Sequence, residues 1–210
     1  MKMLKTLLAS AVVFSAMPAM AYEAGDFIVK VGAVYVSPQD YSADSSGLVA
    51  DSHLQVGSNT QLGLTATYMA TDHVGVELLA ATPFEHTVKG EGGAIDGADI
   101  VTTKHLPPTL SLQYYPLETS SALQPYVGFG INYTFFFDEE DDGNLGTKGL
   151  EKSWGTAFSA GVNYNFNENW LGSVAVWQID LDTKVKGGDA DGLDVQIDPT
   201  VLFVSAGYKF

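Results

Sequence analysis

Three groups of residues have types and spacings that chemistry could use. Asp138-Glu139-Glu140-Asp141-Asp142-Gly143 offers closely spaced carboxylates ahead of a glycine, as a calcium-wrapping loop does. Its third ligand position is Glu140, and its twelfth is Gly149 where a bidentate glutamate should close the site, so it fails as an EF-hand. Gly187-Gly188-Asp189-Ala190-Asp191 lacks the repetition that calcium-binding β-solenoids require. The four histidines, His53, His73, His86 and His105, could act as bases, but none stands in a His-x-Ser spacing. Asp51-Ser52-His53 is a local run with nothing to orient its three side chains. The acidic stretches are rich in Gly and Ser and read as solvated loops, with loose divalent-ion binding as the second reading. No enzyme is expected, and neither a metal nor an organic cofactor is required.

The elements around these loops explain them better. Met1-Lys2-Met3-Leu4-Lys5 is basic, Leu7 to Phe14 is apolar, and Ala19-Met20-Ala21 has the small-x-small form of a cleavage site. The apolar run is too short to span a bilayer, so residues 1–21 read as an export signal and 22–210 as one domain. There is no cysteine, which removes disulfides and thiolate metal sites from an exported chain. The formal charge is −15, every one of the ten basic residues is lysine, and losing Lys2 and Lys5 makes the balance more negative. Nucleic acid is excluded as a partner.

No segment after the signal keeps a helical apolar period, whereas period-two alternation recurs. Eight strands are expected, at about Phe27 to Ser37, Thr60 to Met69, Val74 to Phe84, Leu106 to Tyr115, Tyr126 to Phe137, Trp154 to Phe166, Trp170 to Val185 and Val195 to Phe210. Long acidic links alternate with tight turns at Ala70 to His73 and Asn167 to Asn169, the asymmetry of an outer-membrane β-barrel. In the fifth strand Val127, Phe129, Ile131, Tyr133, Phe135 and Phe137 share one face, and Gly128, Gly130, Asn132 and Thr134 the other. Lipid accepts only the first set, so the small and polar set must face a narrow lumen. A soluble barrel would carry a charged outer face instead, and here the face opposite the aromatics is Gly, Ala, Ser and Asn. The last strand ends in Phe210, as expected of a chain handled by barrel-assembly machinery. The fold class is therefore an all-β, eight-stranded antiparallel transmembrane β-barrel in a bacterial outer membrane, beside lipopolysaccharide.

Longer stretches carry a more specific signal. Asn59-Thr60-Gln61-Leu62-Gly63-Leu64-Thr65, Thr67-Tyr68-Met69-Ala70-Thr71-Asp72, Gly75 to Phe84, His105-Leu106-Pro107-Pro108-Thr109-Leu110 and Ser205-Ala206-Gly207-Tyr208 strongly resemble the OmpW family of Gram-negative outer-membrane proteins. The resemblance implies an eight-stranded barrel with a largely apolar lumen that passes small hydrophobic molecules. It also implies that Leu79 and Trp177 occupy positions that narrow the channel. A structural or adhesive barrel without transport is the alternative, and a lipid A-modifying enzyme is disfavoured by the histidine spacing.

Sorting the inward parity by height places Lys30, Gln61, Thr65, Glu77, Ser111, Gln113, Ser159, Asn163 and Lys209 toward the periplasm. Val34, Val36, Leu79, Ala81, Pro107, Trp177, Ile179, Leu181, Val201 and Phe203 fall toward the outside. Lys30, Glu77, Gln61 and Gln113 are thus expected to form a polar plug, with Leu79 and Trp177 meeting across the lumen as a gate. Pro83 closes the third strand while Pro107 and Pro108 open the fourth, so pairing should be weak there. A lateral opening into the bilayer is expected at these three prolines.

Overall fold

The computed structural model describes residues 22–38, 53–91, 99–140, 149–187, 192 and 194–210. The expected signal, residues 1–21, lies outside them, as do Asp51, Ser52, Asp141 to Gly143 and Gly188 to Asp191. The strands are β1 (Phe27–Ser37), β2 (His53–Val56), β3 (Asn59–Met69), β4 (Val74–Ala81), β5 (Phe84–Glu91), β6 (Asp99–Leu106) and β7 (Thr109–Tyr114). They continue with β8 (Leu123–Glu140), β9 (Gly149–Leu150), β10 (Ser153–Asn165), β11 (Trp170–Ile179), β12 (Asp182–Lys186), β13 (Asp194–Gln196) and β14 (Thr200–Lys209).

Eight of them close on themselves in the order β10-β11-β14-β1-β3-β4-β7-β8, with β8 pairing back to β10, every neighbour antiparallel. This is a closed eight-stranded barrel. Closure leaves no edge, so each backbone N–H and C=O in the wall has a neighbour strand to bond to, as lipid demands. The expected strands reappear with corrections: the seventh is split into β11 and β12, the eighth into β13 and β14, and the third and fourth are cut short. The third ends at Ala81, and Phe84 instead starts β5; Leu106 ends β6, and the fourth wall strand begins only at Thr109. The stretches containing Glu85, Glu91 and Asp99, read from sequence as loop, belong to β5 and β6, and β8 runs on to Glu140. Their acidity misled the reading: a ladder that leaves the membrane can carry charge without losing its hydrogen bonds.

Burial follows the alternation. Phe129 and Phe158 are 54% and 58% exposed on the outer surface, while Gly130, Asn132, Ala157 and Ser159 between them are buried. Phe27, Tyr68, Tyr114, Phe166, Trp170 and Phe210 are all exposed at the periplasmic strand ends, and Tyr35 and Trp154 toward the outer ends, as girdles at the two interfaces. The inside is filled by small-against-large complementarity. A side chain at Gly161 would collide with the Tyr126 ring, and one at Gly63 with Val34 and Phe203, so these glycines make room for the lumen's largest occupants.

Phe129→Lys should destabilise the folded barrel by about 2–4 kcal/mol, because it sets a charge at mid-wall against lipid. Glu168→Lys in the exposed periplasmic turn should leave stability unchanged. Urea titration of the vesicle-embedded protein compares the two, and equal midpoints would contradict the assignment of faces.

Candidate functional site: the lumen and its wall

The periplasmic half of the lumen is organised around one ion pair. Lys30 Nζ lies 2.7 Å from Glu77 Oε2, both side chains are 1% exposed, and β1 and β4 bring them together across β3. Two charges in so narrow a space are tolerable only if paired and hydrogen-bonded further. Thr67 Oγ1 donates to Glu77 Oε2 at 3.0 Å and Gln113 Nε2 donates to Oε1 at 2.7 Å. Tyr115 Oη donates to Gln113 Oε1 at 2.7 Å, and the Lys30 ammonium stands 5.3 Å from the centre of the Tyr126 ring.

Tyr22 completes this floor from outside the strands. Its ring packs edge-on against Tyr115 at 5.0 Å, and Asn163 Nδ2 donates to its hydroxyl at 2.7 Å. Burial pushes its phenol up to about 12, so it stays protonated at physiological pH. The residues after it are pinned below the mouth: Ala24 N donates to Asp72 Oδ1, and Gly25 N to the Met69 carbonyl. Gly25 has φ +101°, a left-handed conformation that only glycine adopts without cost.

The upper half is apolar. Val34, Val36, Leu79, Trp177, Ile179, Leu181, Val201 and Phe203 are buried in one cluster, with the Trp177 and Phe203 rings 6.2 Å apart. Leu79 and Trp177 stand on opposite walls, and strand register compares their heights. Cross-strand partners lead from Leu79 through Thr65, Lys30 and Gly207 to Leu171 in one direction. In the other they lead through Thr109 and Asn132 to Gly155, just beyond the Ala157–Ile179 pair and so near Leu181. Barrel strands tilt against the axis, so one path descends and the other climbs. The level of Leu79 on the far wall therefore falls midway between Leu171 and Leu181, next to Trp177. Higher still, His105 stacks on Phe84 at 5.5 Å and lies 5.8 Å from Phe136.

Among the described residues the wall is interrupted between β4 and β7. β4 and β7 pair up to Leu79–Thr109, and β5 and β6 pair from Phe84–His105 upward; between them Ala80 to Pro83 and Leu106 to Pro108 form no ladder pair with each other. On its other side the proline segment stays attached, since Tyr133 N donates to the Pro108 carbonyl and Asn132 Nδ2 to the Pro107 carbonyl at 3.1 Å. Pro107, turned by alternation toward β4, has no N–H to offer it.

Of the expected plug residues, Lys30, Glu77 and Gln113 come together and Gln61 does not. Gln61 sits opposite Val34 near the outer end of β3, where its Oε1 accepts from Thr82 Oγ1 and its Nε2 donates to Asn59 Oδ1. The parity of Gln61 was read correctly and its height was not, because β3 runs downward from the outside. Three tyrosines of the floor went unlisted. Tyr126 and Tyr115 share the inward parity of Gly128 and Gln113 and could have been found; Tyr22 precedes the first strand and carries no periodic signal.

The comparisons with known proteins agree with this geometry. The sequence profile described as OmpW family matches residues 23–210. The chain is 44% identical to outer membrane protein W of Vibrio cholerae over 205 residues, 93% of this chain and 94% of that one. The crystal structure of OprG from Pseudomonas aeruginosa superposes with a TM-score of 0.81 at 45% identity, covering 91% of this chain and 98% of that one. A more distant relative, 26% identical over 72% of both chains, is the dibenzothiophene metabolism operon protein PahQ of Pseudomonas aeruginosa.

Replacing one partner of the buried pair, as in Glu77→Gln or Lys30→Met, should cost about 3–5 kcal/mol, because the other charge is left buried and alone. The double variant Lys30→Met/Glu77→Leu should recover most of that loss. Urea midpoints of the four proteins in vesicles measure it, and a double variant worse than the sum of the singles would contradict the pairing.

Proposed function

The chain belongs to the OmpW family of bacterial outer-membrane barrels, and from that premise we propose that it admits small hydrophobic molecules from outside and releases them sideways into the bilayer. The observation that carries this reading is the contrast between the two halves of one lumen. An apolar solute is welcome among Val34, Ile179, Val201 and Phe203, but below them it would have to displace a hydrogen-bonded ion pair and three buried tyrosines. Straight passage is thus resisted where entry is favoured. The break in pairing at Pro83, Pro107 and Pro108 lies at the height of the apolar half and on the wall opposite Trp177. Leu79 and Trp177, at one level on facing walls, narrow the passage at the boundary between the halves. The relative named for dibenzothiophene metabolism fits a hydrophobic cargo. Assembly machinery is proposed to read Phe210, whose ring is 70% exposed beside Tyr208.

Two measurements test the route. Trp177→Ala should raise uptake of a hydrophobic fluorescent probe into protein-bearing liposomes several-fold, and an unchanged rate removes the narrowing role. The chain has no native cysteine, so Ala81→Cys/Pro107→Cys places a single disulfide across the interrupted seam. Oxidised protein should lose probe transfer to the bilayer and regain it on reduction. Transfer that persists with the bridge closed rules out the lateral exit.

A further inference from the structure

The polar groups around the lumen are not equally satisfied. On the β3–β4–β7–β8 side most are spent on one another: Thr67 and Gln113 on Glu77, Thr134 on Asn132, and Thr109 on the Pro107 carbonyl, with Thr65 Oγ1 and Gln124 Oε1 the exceptions. Farther round, Ser159, Ser173 and Trp177 are each at least nine-tenths buried; the Ser159 hydroxyl and the indole N–H meet no protein partner, and the Ser173 hydroxyl meets only the Tyr126 phenol. Ser205, cross-strand from Ser173, is half-buried and its hydroxyl also meets no protein partner.

These groups form a continuous band. Ser205 of β14 pairs with Ser173 of β11, and Ser159 of β10 pairs with Trp177, one inward step above Ala175. Along every strand the polar residue lies below an apolar one: Ser173 below Ala175, Ser205 below Phe203, Ser159 below Ala157. The band therefore marks the boundary between the polar floor and the apolar chamber. Leaving a buried hydroxyl or N–H unpaired is costly, and such groups on one face of the lumen point to a partner that enters it.

We propose that this band is a hydroxyl shelf that holds the neutral, oxygen-bearing head of an amphipathic molecule whose chain occupies the apolar upper lumen. This rests on the hydrophobic-channel reading and narrows its substrate class to long-chain alcohols over the corresponding alkanes. A hydroxyl head both donates and accepts, and the shelf offers the same pair of roles. A charged head is disfavoured because Lys30 and Glu77 already neutralise one another, so an ionised group would enter a narrow lumen without a counter-charge. An alkane fills the apolar half equally well but gives the shelf groups no new partner. The shelf faces the interrupted seam across the lumen, so a head held there leaves the chain free to reach toward the exit.

The test uses full-length barrel in liposomes with Trp154→Phe and Trp170→Phe, both lipid-exposed, so that Trp177 is the only indole left. Trp177 emission is titrated with decan-1-ol and with n-decane. Decan-1-ol should bind about five- to tenfold more tightly than decane, the factor that one net hydrogen bond supplies. Ser159→Ala/Ser173→Ala should reduce that ratio to within about twofold while leaving decane binding unchanged. A ratio that survives the double substitution, or equal binding of both molecules in the parent, overturns the shelf and leaves those hydroxyls to water. If the double variant fails to show the heat-resistant folded band on a gel, Ser173→Ala and the hydroxyl-retaining control Ser173→Thr are compared instead, with loss and retention expected respectively. Probe uptake on the same liposomes separates the two claims. Uptake without alcohol preference sinks the shelf alone; alcohol preference without uptake sinks the channel and leaves a binding barrel.

Discussion

In hydrocarbon no backbone N–H or C=O can turn to water, so each must find a partner within the protein, and only a closed ladder provides that for strands. Every other feature of this molecule follows from meeting that demand with eight strands. Eight is few, so the interior is narrow enough for side chains from facing walls to fill it. The same closure divides each strand into a lipid face and a lumen face, which is why Phe129 and Gly130, adjacent in sequence, live in opposite solvents. The departure from full pairing, at Pro83, Pro107 and Pro108, sits where the wall nears the outer surface and the demand relaxes.

A narrow lumen changes the energetics of whatever it contains. Lys30 and Glu77 are fully buried, and their mutual attraction offsets desolvation only with help from Thr67 and Gln113. The consequence is a rigid floor: the Glu77 carboxylate is held by Lys30, Thr67 and Gln113 at once, and moving one of them leaves another unsatisfied. Above it, apolar side chains pack by shape alone, with no polar partner to lose when one moves. The two halves therefore differ less in size than in the cost of displacing what is there.

Local periodicity made much of this legible. Alternation of apolar and polar residues is a property of each strand alone, so the lipid face of β8, the inward parity of Lys30 and Glu77, and the first and sixth strands to within a residue could be read without a structure. Pro107 and Pro108 were equally legible, because the missing N–H is intrinsic to the residue. Height was harder. Gln61 shares the inward parity of Thr65, but which residues lie level across the barrel depends on strand direction, tilt and register together.

The sequence by itself therefore determined the class of fold, the two faces of its wall and the residue types available to the lumen, since these follow from nearest-neighbour chemistry repeated every second residue. Only the tertiary structure decided which of those residues meet. It set Lys30 against Glu77 through the register of β1, β3 and β4, and carried Tyr22, from outside any strand, into the floor. It also extended the acidic segments around Glu85 and Asp99 into paired strands above the membrane. The reason is that closure turns a local period into a shared space: contacts between walls are set by the stagger of eight strands at once, and no single strand contains that information.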